Sequence, residues 1–138
     1  MDYKLELVLI PVSDVDRAKK FYLEEAGFGL IVDTPIGEGK RVVQVNPPGS
    51  ACAIGFGTGI TAADPGAAQG LHLVVTDIVA ARAELTERGV GVSDVRHLES
   101  GTWVDGPHPE RHDYESFADF RDPDGNIWVL QEVGHHRA

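Results

Sequence analysis

Apolar stretches alternate with turn-rich stretches along the chain, and this pattern predicts short strands grouped around two helices. The near-continuous apolar run over residues 5–12 is typical of a strand that is buried on both faces. Ser13 or Asp14 then caps a helix, whose apolar positions recur at helical spacing until Gly27 ends it. Turns rich in proline and glycine separate three further predicted strands, which span residues 28–33, 41–46 and 51–56.

The second half of the chain repeats this order of elements. A strand is predicted over residues 71–76, and Asp77 then caps a helix that ends at Gly89. The residues around this cap, VTDI, echo VSDV at the first cap. A repeat of roughly 60 residues is too long for a solenoid unit and indicates a duplicated βαβββ module. We therefore predict one domain with module 1 at 4–57, a linker at 58–69, module 2 at 70–133 and a C-terminal tail at 134–138.

The last predicted hairpin carries the most specific motif in the chain. Its strands are marked by aromatic and aliphatic residues over 114–120 and 127–130, and DPDG between them supplies the residues of a tight turn. An apolar strand, DPDG and then N-x-W-x-L-Q-E resembles the last hairpin of the vicinal oxygen chelate superfamily. That group includes glyoxalase I, extradiol dioxygenases, fosfomycin-resistance enzymes and bleomycin-resistance proteins. The duplicated module points independently to the same superfamily.

The resemblance covers residues 4–133, apart from the segment 97–113. It implies an α+β fold in which two tandem βαβββ modules form an incomplete barrel around a cleft, with the helices outside. Superfamily members are commonly homodimers, so the resemblance also implies a homodimer here.

The metal-ligand positions of the superfamily have no metal ligands in this chain. These positions lie on the first and last strand of each module and correspond to Leu7, Ile54 or Gly55, Gly70 or Leu71, and Val129. None of these side chains offers the oxygen, nitrogen or sulfur atom that a divalent metal requires. We therefore predict no metal and no cofactor in the cleft. Glyoxalase I and extradiol dioxygenase activity are disfavoured, because those enzymes use the metal to polarise or activate the substrate.

Polar side chains on the predicted cleft face are the candidate ligand-binding residues. Strand alternation places His72 and Gln131 on that face, each two residues from a lost ligand position. His72 is interpreted as a general base, a ligand-orienting group or a hydrogen-bonded core residue. Arg41 and Gln44 lie on opposite faces of one strand, so only one of them enters the cleft. Trp128, on the opposite face from Gln131, is expected to be a core residue.

The segment 97–113 is long for a connection between strands, and such segments are usually lids or disordered excursions. It contains Trp103, whose large apolar ring is unfavourable to leave in water. We expect Trp103 to close over a ligand or to pack against a dimer partner. His112 and Tyr114 are predicted as further ligand contacts at the end of this segment.

Two further arrangements in the second module would carry chemistry only in one of their possible conformations. His108 and His112 have the i,i+4 spacing of a zinc pair, but the prolines on both sides of His108 disfavour the helix that this spacing requires. Asp119 would be a catalytic carboxylate if it faces inward and a solvated charge if it faces outward. The outward orientation is favoured.

Composition restricts the classes of partner. The net charge of −10 argues against nucleic acid or an anionic membrane, is compatible with a cationic ligand, and is most simply a solubility feature. No apolar stretch is long enough to span a membrane, and the N-terminal sequence leads directly into a strand rather than resembling a signal peptide. The single cysteine, Cys52, excludes an internal disulfide and suits the cytoplasm.

Three functions fit these observations. The first is a metal-free protein that binds a small organic molecule, with drug sequestration of the bleomycin-resistance type as the specific form. The second is a metal-independent acid–base enzyme acting on a small carbonyl or polyketide-like compound. His72 and Asp119 are its catalytic candidates, and Glu99 or His112 are the alternative partners of His72. The third is a metal-dependent lyase or dioxygenase whose ligands have moved elsewhere.

Overall fold

The computed structural model describes residues 1–137, and these form two compact units. Unit 1 contains Met1–Ala68 and the turn Asp122–Asn126, whereas unit 2 contains Gln69–Arg121 and the chain from Ile127 onward. The predicted tail at 134–138 includes a short 3-10 turn at His135–Arg137, and its last residue, Ala138, lies outside the described residues. Within residues 1–137 no helix has the length and apolar character needed to cross a membrane.

Unit 1 is built on a four-stranded sheet with the strand order β1-β4-β3-β2. The first and fourth strands are parallel, and the other neighbours are antiparallel. Its elements are β1 (Leu7–Leu9), α1 (Val15–Lys20) continued by a π-helical turn (Phe21–Glu25), β2 (Gly29–Gly37), β3 (Lys40–Asn46) and β4 (Ala53–Thr58).

The predicted cap and stop of the first helix are both present. Asp14 has an extended backbone and its side chain accepts a hydrogen bond from the Arg17 N–H at 3.0 Å, as an N-cap does. Gly27 has φ +78°, a conformation that glycine adopts without a steric penalty. The sequence therefore determines both ends of this helical segment locally.

The DPDG turn is anchored by buried hydrogen bonds within unit 1. The Tyr22 hydroxyl donates to Asp122 Oδ2 at 2.7 Å, and the Asn126 amide donates both to that carboxylate and to the Pro11 carbonyl at 2.8 Å. Tyr22, Asp122 and Asn126 are all buried. Because an unpaired buried polar group is costly, these residues specify the position of the turn as well as its shape.

Unit 2 is built on a five-stranded sheet with the strand order β5-β9-β8-β6-β7. The β5 and β9 strands are parallel, and the other neighbours are antiparallel. Its elements are β5 (Leu71–Val75), α2 (Ile78–Glu87), β6 (Arg96–Glu99), β7 (Thr102–Asp105), β8 (Ser116–Arg121) and β9 (Ile127–Glu132).

The predicted α+β class is confirmed: residues 1–137 form two sheets, of four and five strands, and no closed barrel. One expectation for the segment 97–113 is wrong, because it is not a continuous loop. It contains most of a β6–β7 hairpin, so unit 2 has one strand more than a βαβββ module. The hairpin turns at Ser100 and Gly101, whose φ values of +51° and +80° match a type I′ turn. Its second strand, Thr102-Trp103-Val104, consists of residues with high β propensity.

Candidate ligand-binding face

One face of the five-stranded sheet is buried, and the other carries most of the residues predicted from the sequence. Trp128 and Leu130 on β9 are each 1% exposed, which confirms Trp128 as a core residue, whereas Val129 and Gln131, which alternate with them, are only partly buried. The strand register pairs Val129 with His72 on β5 and with Asp119 on β8. His72, Asp119 and Gln131 therefore share the less buried face.

The register extends this face across β6 and β7. Gln131 pairs with Phe117, Phe117 pairs with Arg96, and Leu98 pairs with Trp103. Trp103 therefore belongs to a strand of the sheet and not to a loop. We call this surface the open face; its residues are His72, Val74, Arg96, Leu98, Trp103, Asp105, Phe117, Asp119, Arg121, Ile127, Val129 and Gln131.

Trp103 is the largest apolar side chain on the open face and remains 49% exposed. Its ring stands edge-on to Phe117, with the centroids 5.6 Å apart, and the Arg96 guanidinium lies 4.6 Å from its centroid. Arg96 in turn donates to Asp119 Oδ2 at 2.9 Å and to Ser93 Oγ at 3.1 Å. The indole is thus held by an aromatic edge and a cation, and it presents apolar ring surface to solvent.

His72 has a defined tautomer when its ring is neutral. Its Nδ1 lies 2.7 Å from the Gly70 carbonyl oxygen, which only accepts, so the proton is on Nδ1 and Nε2 is the acceptor. Asp119 stands two strands away, about 9.5 Å at the usual strand spacing, and its carboxylate is turned to Arg96. The two residues predicted as an acid–base pair share a face but do not contact each other.

Gln131 and Tyr114 are brought together at the end of the open face. The Gln131 side-chain amide donates to the Tyr114 carbonyl at 3.1 Å. Tyr114 has φ +68°, which is unusual for a residue with a side chain, and the residue is 60% exposed. The amide of Gln131 therefore helps to hold Tyr114, while its oxygen is the group that would accept from a ligand.

In unit 1, Gln44 and Arg41 occupy different faces of their sheet. Gln44 pairs with Gly55, as does Leu9, so Gln44 shares the less buried face with the side chain of Leu9. Arg41 instead forms ion pairs with Asp33 and with Asp16 on α1. Its guanidinium, together with Lys19, holds the pKa of the Asp33 carboxyl far below its usual range. Of the two alternatives, Gln44 is the residue on the less buried face of the sheet, whereas the Arg41 side chain is engaged in ion pairs.

His112 has no position on the strands of the open face. It lies in the loop after β7, where its ring stacks on His108 at 4.4 Å. Sequence reasoning also missed Arg96 and Phe117, which hold Trp103. The signal that would have revealed them is a hairpin pattern: Arg96 and Leu98 alternate as in a strand, and a Ser-Gly turn and Trp103 follow.

The charges on the open face differ from those of the whole chain. Among the described residues of this face, two arginines, Arg96 and Arg121, balance two aspartates, Asp105 and Asp119. The net charge of −10 is therefore carried elsewhere. The open face offers a ligand apolar ring surface, a few hydrogen-bonding groups and no excess of either charge.

A separate cavity of about 260 Å³ lies in unit 1 beside the start of α1. Its polar lining comes from Ser13, Thr58 and Thr61, and among the described residues no titratable side chain lines it. Without a titratable side chain the cavity has no acid or base that could activate these hydroxyls, so the open face of unit 2 remains the better candidate site.

Comparison with known proteins identifies a family and several similar structures. The sequence profile described as Glyoxalase/Bleomycin resistance protein/Dioxygenase superfamily matches residues 4–130. The comparison with curated proteins found no match. Among solved structures, TnmS3, an antibiotic binding protein from Streptomyces sp. CB03234, is 34% identical, with 95% of this chain and 96% of that chain covered and a TM-score of 0.73.

Two further structures are similar over nearly the whole chain. A glyoxalase/bleomycin resistance protein from Streptomyces sp. CB03234 is 35% identical, covers 93% of this chain and 99% of its own, and has a TM-score of 0.70. A superfamily member from Sphaerobacter thermophilus DSM 20745 is 29% identical, covers 96% of this chain and 98% of its own, and has a TM-score of 0.73.

Proposed function

Because the chain belongs to the Glyoxalase/Bleomycin resistance protein/Dioxygenase superfamily, we propose that it binds a small organic molecule on the open face of unit 2 and sequesters it unchanged. The observation that carries this proposal is Trp103, half exposed on a strand and held by Arg96 and Phe117. The similarity to an antibiotic binding protein supports an antibiotic as the ligand class.

The chemistry of the open face favours a ligand with a planar ring system. Covering an exposed indole with apolar ring surface is favourable, and offset or edge-on ring contacts contribute about 0.5–1.5 kcal/mol of binding free energy beyond the buried area. Because Arg96 and Phe117 already fix the indole, little conformational freedom is lost when a ligand stacks on it. His72 Nε2 is an acceptor for a ligand hydroxyl, and Gln131 and Tyr114 border the same face.

The charge expected of the ligand is inferred from the residues of the open face and not from the net charge of the whole chain. The sequence is compatible with a cationic ligand because of its net charge of −10. However, Arg96 already occupies the cation position beside the Trp103 ring, and the charges of the open face balance. We therefore favour a neutral ring system over a cation.

The proposal includes binding without a metal at the inherited positions. Val129 lies on the open face and Leu7 on β1 of unit 1, and neither side chain has a donor atom. A cytoplasmic homodimer is part of the proposal as well. Its support is the superfamily resemblance and the presence of one cysteine, Cys52.

The tautomer of His72 favours a second candidate, a metal-independent acid–base enzyme. With Nδ1 bonded to Gly70, Nε2 is oriented as a base would be. The acid partner is the weaker part of this alternative, since Asp119 is paired with Arg96. Chemical conversion of a bound compound, abolished in His72→Ala, is the observation that would select the enzyme over the binding protein.

The proposal is tested by titrating the protein with a panel of antibiotics that contain planar aromatic rings, followed by mass spectrometry of the recovered compound. We expect at least one compound to bind and to be recovered unchanged. Trp103→Ala should weaken its binding by about tenfold, because it removes both the stacking contact and the apolar area that the indole would bury. Val79→Ala, at an exposed apolar position on α2, is the matched control. Equal affinity in Trp103→Ala and the control would refute the site.

A further inference from the structure

The loop between β7 and β8 brings together two histidines and a glutamate that the open face does not use. Glu115 Oε2 lies 3.0 Å from His108 Nε2 and 3.3 Å from His112 Nδ1. One nitrogen or oxygen from each of the three side chains lies within 4.8 Å of the other two. We propose that His108, His112 and Glu115 form a binding site for a divalent transition-metal ion, with zinc as the best match.

The donor atoms have the chemistry and the spacing of a zinc site. Two imidazole nitrogens and a carboxylate oxygen suit zinc and disfavour magnesium and calcium, which prefer all-oxygen ligands. Ligand atoms around a tetrahedral zinc lie about 3.3 Å apart, because each is about 2.0 Å from the metal. The separations of 3.0 and 3.3 Å from Glu115 are close to this value. Three protein ligands leave the fourth position for water.

His112 is oriented by a carboxylate, as metal-binding histidines commonly are. Its Nε2 lies 2.8 Å from Glu110 Oε2, so a neutral ring keeps its proton there and directs the Nδ1 lone pair at Glu115. Two acceptors 3.3 Å apart repel each other unless a cation lies between them. That cation is either a metal ion or a proton that makes His112 an imidazolium.

The loop that presents these side chains is anchored to the sheet at two points. The His108 N–H donates to the buried hydroxyl of Ser116 at 2.9 Å. Arg111, whose φ is +53°, donates its Nε–H to the buried Glu132 carboxylate at 2.7 Å. The turn at Arg111 therefore places the imidazoles of His108 and His112 beside one carboxylate, although this segment is not a helix.

Metal binding requires two local changes. His108 Nδ1 accepts the Glu110 N–H at 3.1 Å, so the neutral ring carries its proton on Nε2, and that proton must be released when the metal binds. The two rings are stacked with 28° between their planes, and one must tilt because a metal lies in the plane of each ring that binds it. His112, which is the more exposed ring, has room to tilt. Binding is therefore expected to weaken as pH falls.

A second set of carboxylate and imidazole groups, Asp77, Glu132 and His135, does not provide an equivalent site. The Arg111 guanidinium contacts both Asp77 and Glu132 and already supplies the positive charge. The loop site differs because its neutral groups supply no positive charge between His112 Nδ1 and Glu115 Oε2.

The test is zinc titration of the full chain without an affinity tag, by calorimetry with a competing chelator at a pH of about 7.5. We expect one zinc per chain, with affinity reduced at least about tenfold in His112→Ala and in Glu115→Gln, since each loses one ligand. His135→Ala, which removes a histidine of the Asp77, Glu132 and His135 set, should bind zinc like the unaltered chain.

Two outcomes would overturn the proposal. One is the absence of stoichiometric zinc binding, which leaves the proton as the only cation in the cluster. The other is undiminished binding in His112→Ala and Glu115→Gln. Cobalt substitution provides a second readout, because three protein ligands and a water should give the intense visible absorption of a four-coordinate ion. The titration uses no organic ligand and leaves Trp103 intact, so its result is independent of the proposed binding function.

Discussion

At the scale of single residues, the features that matter most are polar groups whose partners determine what they do. Arg96 illustrates this, because its contacts with Asp119 and Ser93 place its guanidinium over the Trp103 ring. Glu132 is the buried counterpart: it is 0% exposed and bonded to Arg111 and to the Ile78 N–H at the start of α2. Sequence reasoning selected Trp103 from its size and missed both arginines, because their roles depend on neighbours distant in sequence.

Removing the partner of Glu132 should be strongly destabilising. Arg111→Ala leaves a buried carboxylate without its cation, and breaking such a pair typically costs about 3–5 kcal/mol of unfolding free energy. Arg137→Ala is the matched control, since its pair with Asp113 is exposed and should contribute less than about 1 kcal/mol. Urea denaturation measures both. A loss in Arg111→Ala no greater than in the control would show that the pair does not stabilise the fold.

The same carboxylate gives stability a defined pH dependence. Burial alone would raise the pKa of Glu132, but hydrogen bonds from Arg111 and the Ile78 N–H outweigh it and hold that pKa below its usual range. A lowered folded-state pKa stabilises the protein above the unfolded-state pKa, and this contribution is lost as pH falls through the folded value. Unfolding free energy should therefore decrease below a pH of about 4.5. Glu132→Gln should show a shallower decrease in the same urea experiments.

At the scale of elements, local signals predicted the helices well and the hairpins unevenly. Asp14 and Asp77 cap α1 and α2 as expected, with each side chain accepting an N–H three residues later. The β6–β7 hairpin was not predicted, because its short strands lie among charged residues. The pairing of His108 with His112 was also not predicted, since proline excludes a helix there and the turn at Arg111 is a tertiary effect.

In the four-stranded sheet, Gly57 lies so close to the backbone of Arg41 that a larger residue at Gly57 should destabilise the protein. A Cβ at Gly57 would lie 1.9 Å from the Arg41 carbonyl oxygen, whereas a Cβ at Gly91 would meet nothing within 4 Å. Gly57→Ala should therefore destabilise the protein by about 2–3 kcal/mol through overpacking at the β3–β4 pair. Gly91→Ala should change stability little. Thermal denaturation of the two variants decides the matter, and equal stabilities would contradict the packing described for this sheet.

At the scale of the whole molecule, the superfamily and the α+β class were accessible from the sequence, whereas the site required the strand register. The duplicated module and the DPDG hairpin identified the superfamily. The net charge of −10 suggested a cationic ligand, yet it does not describe the open face, where arginines and aspartates balance. Because one fold supports both binding proteins and enzymes, function has to be argued from that face.

The central claim is that a small organic ligand binds across the open face of unit 2. The most direct measurement is the change in backbone amide NMR shifts on addition of the antibiotic that binds best in the panel. We predict that the largest changes lie along β6, β7, β8 and β9, centred on Arg96, Trp103 and Phe117. Changes confined to α2, or to the cavity beside Ser13 in unit 1, would place the ligand elsewhere and contradict the account.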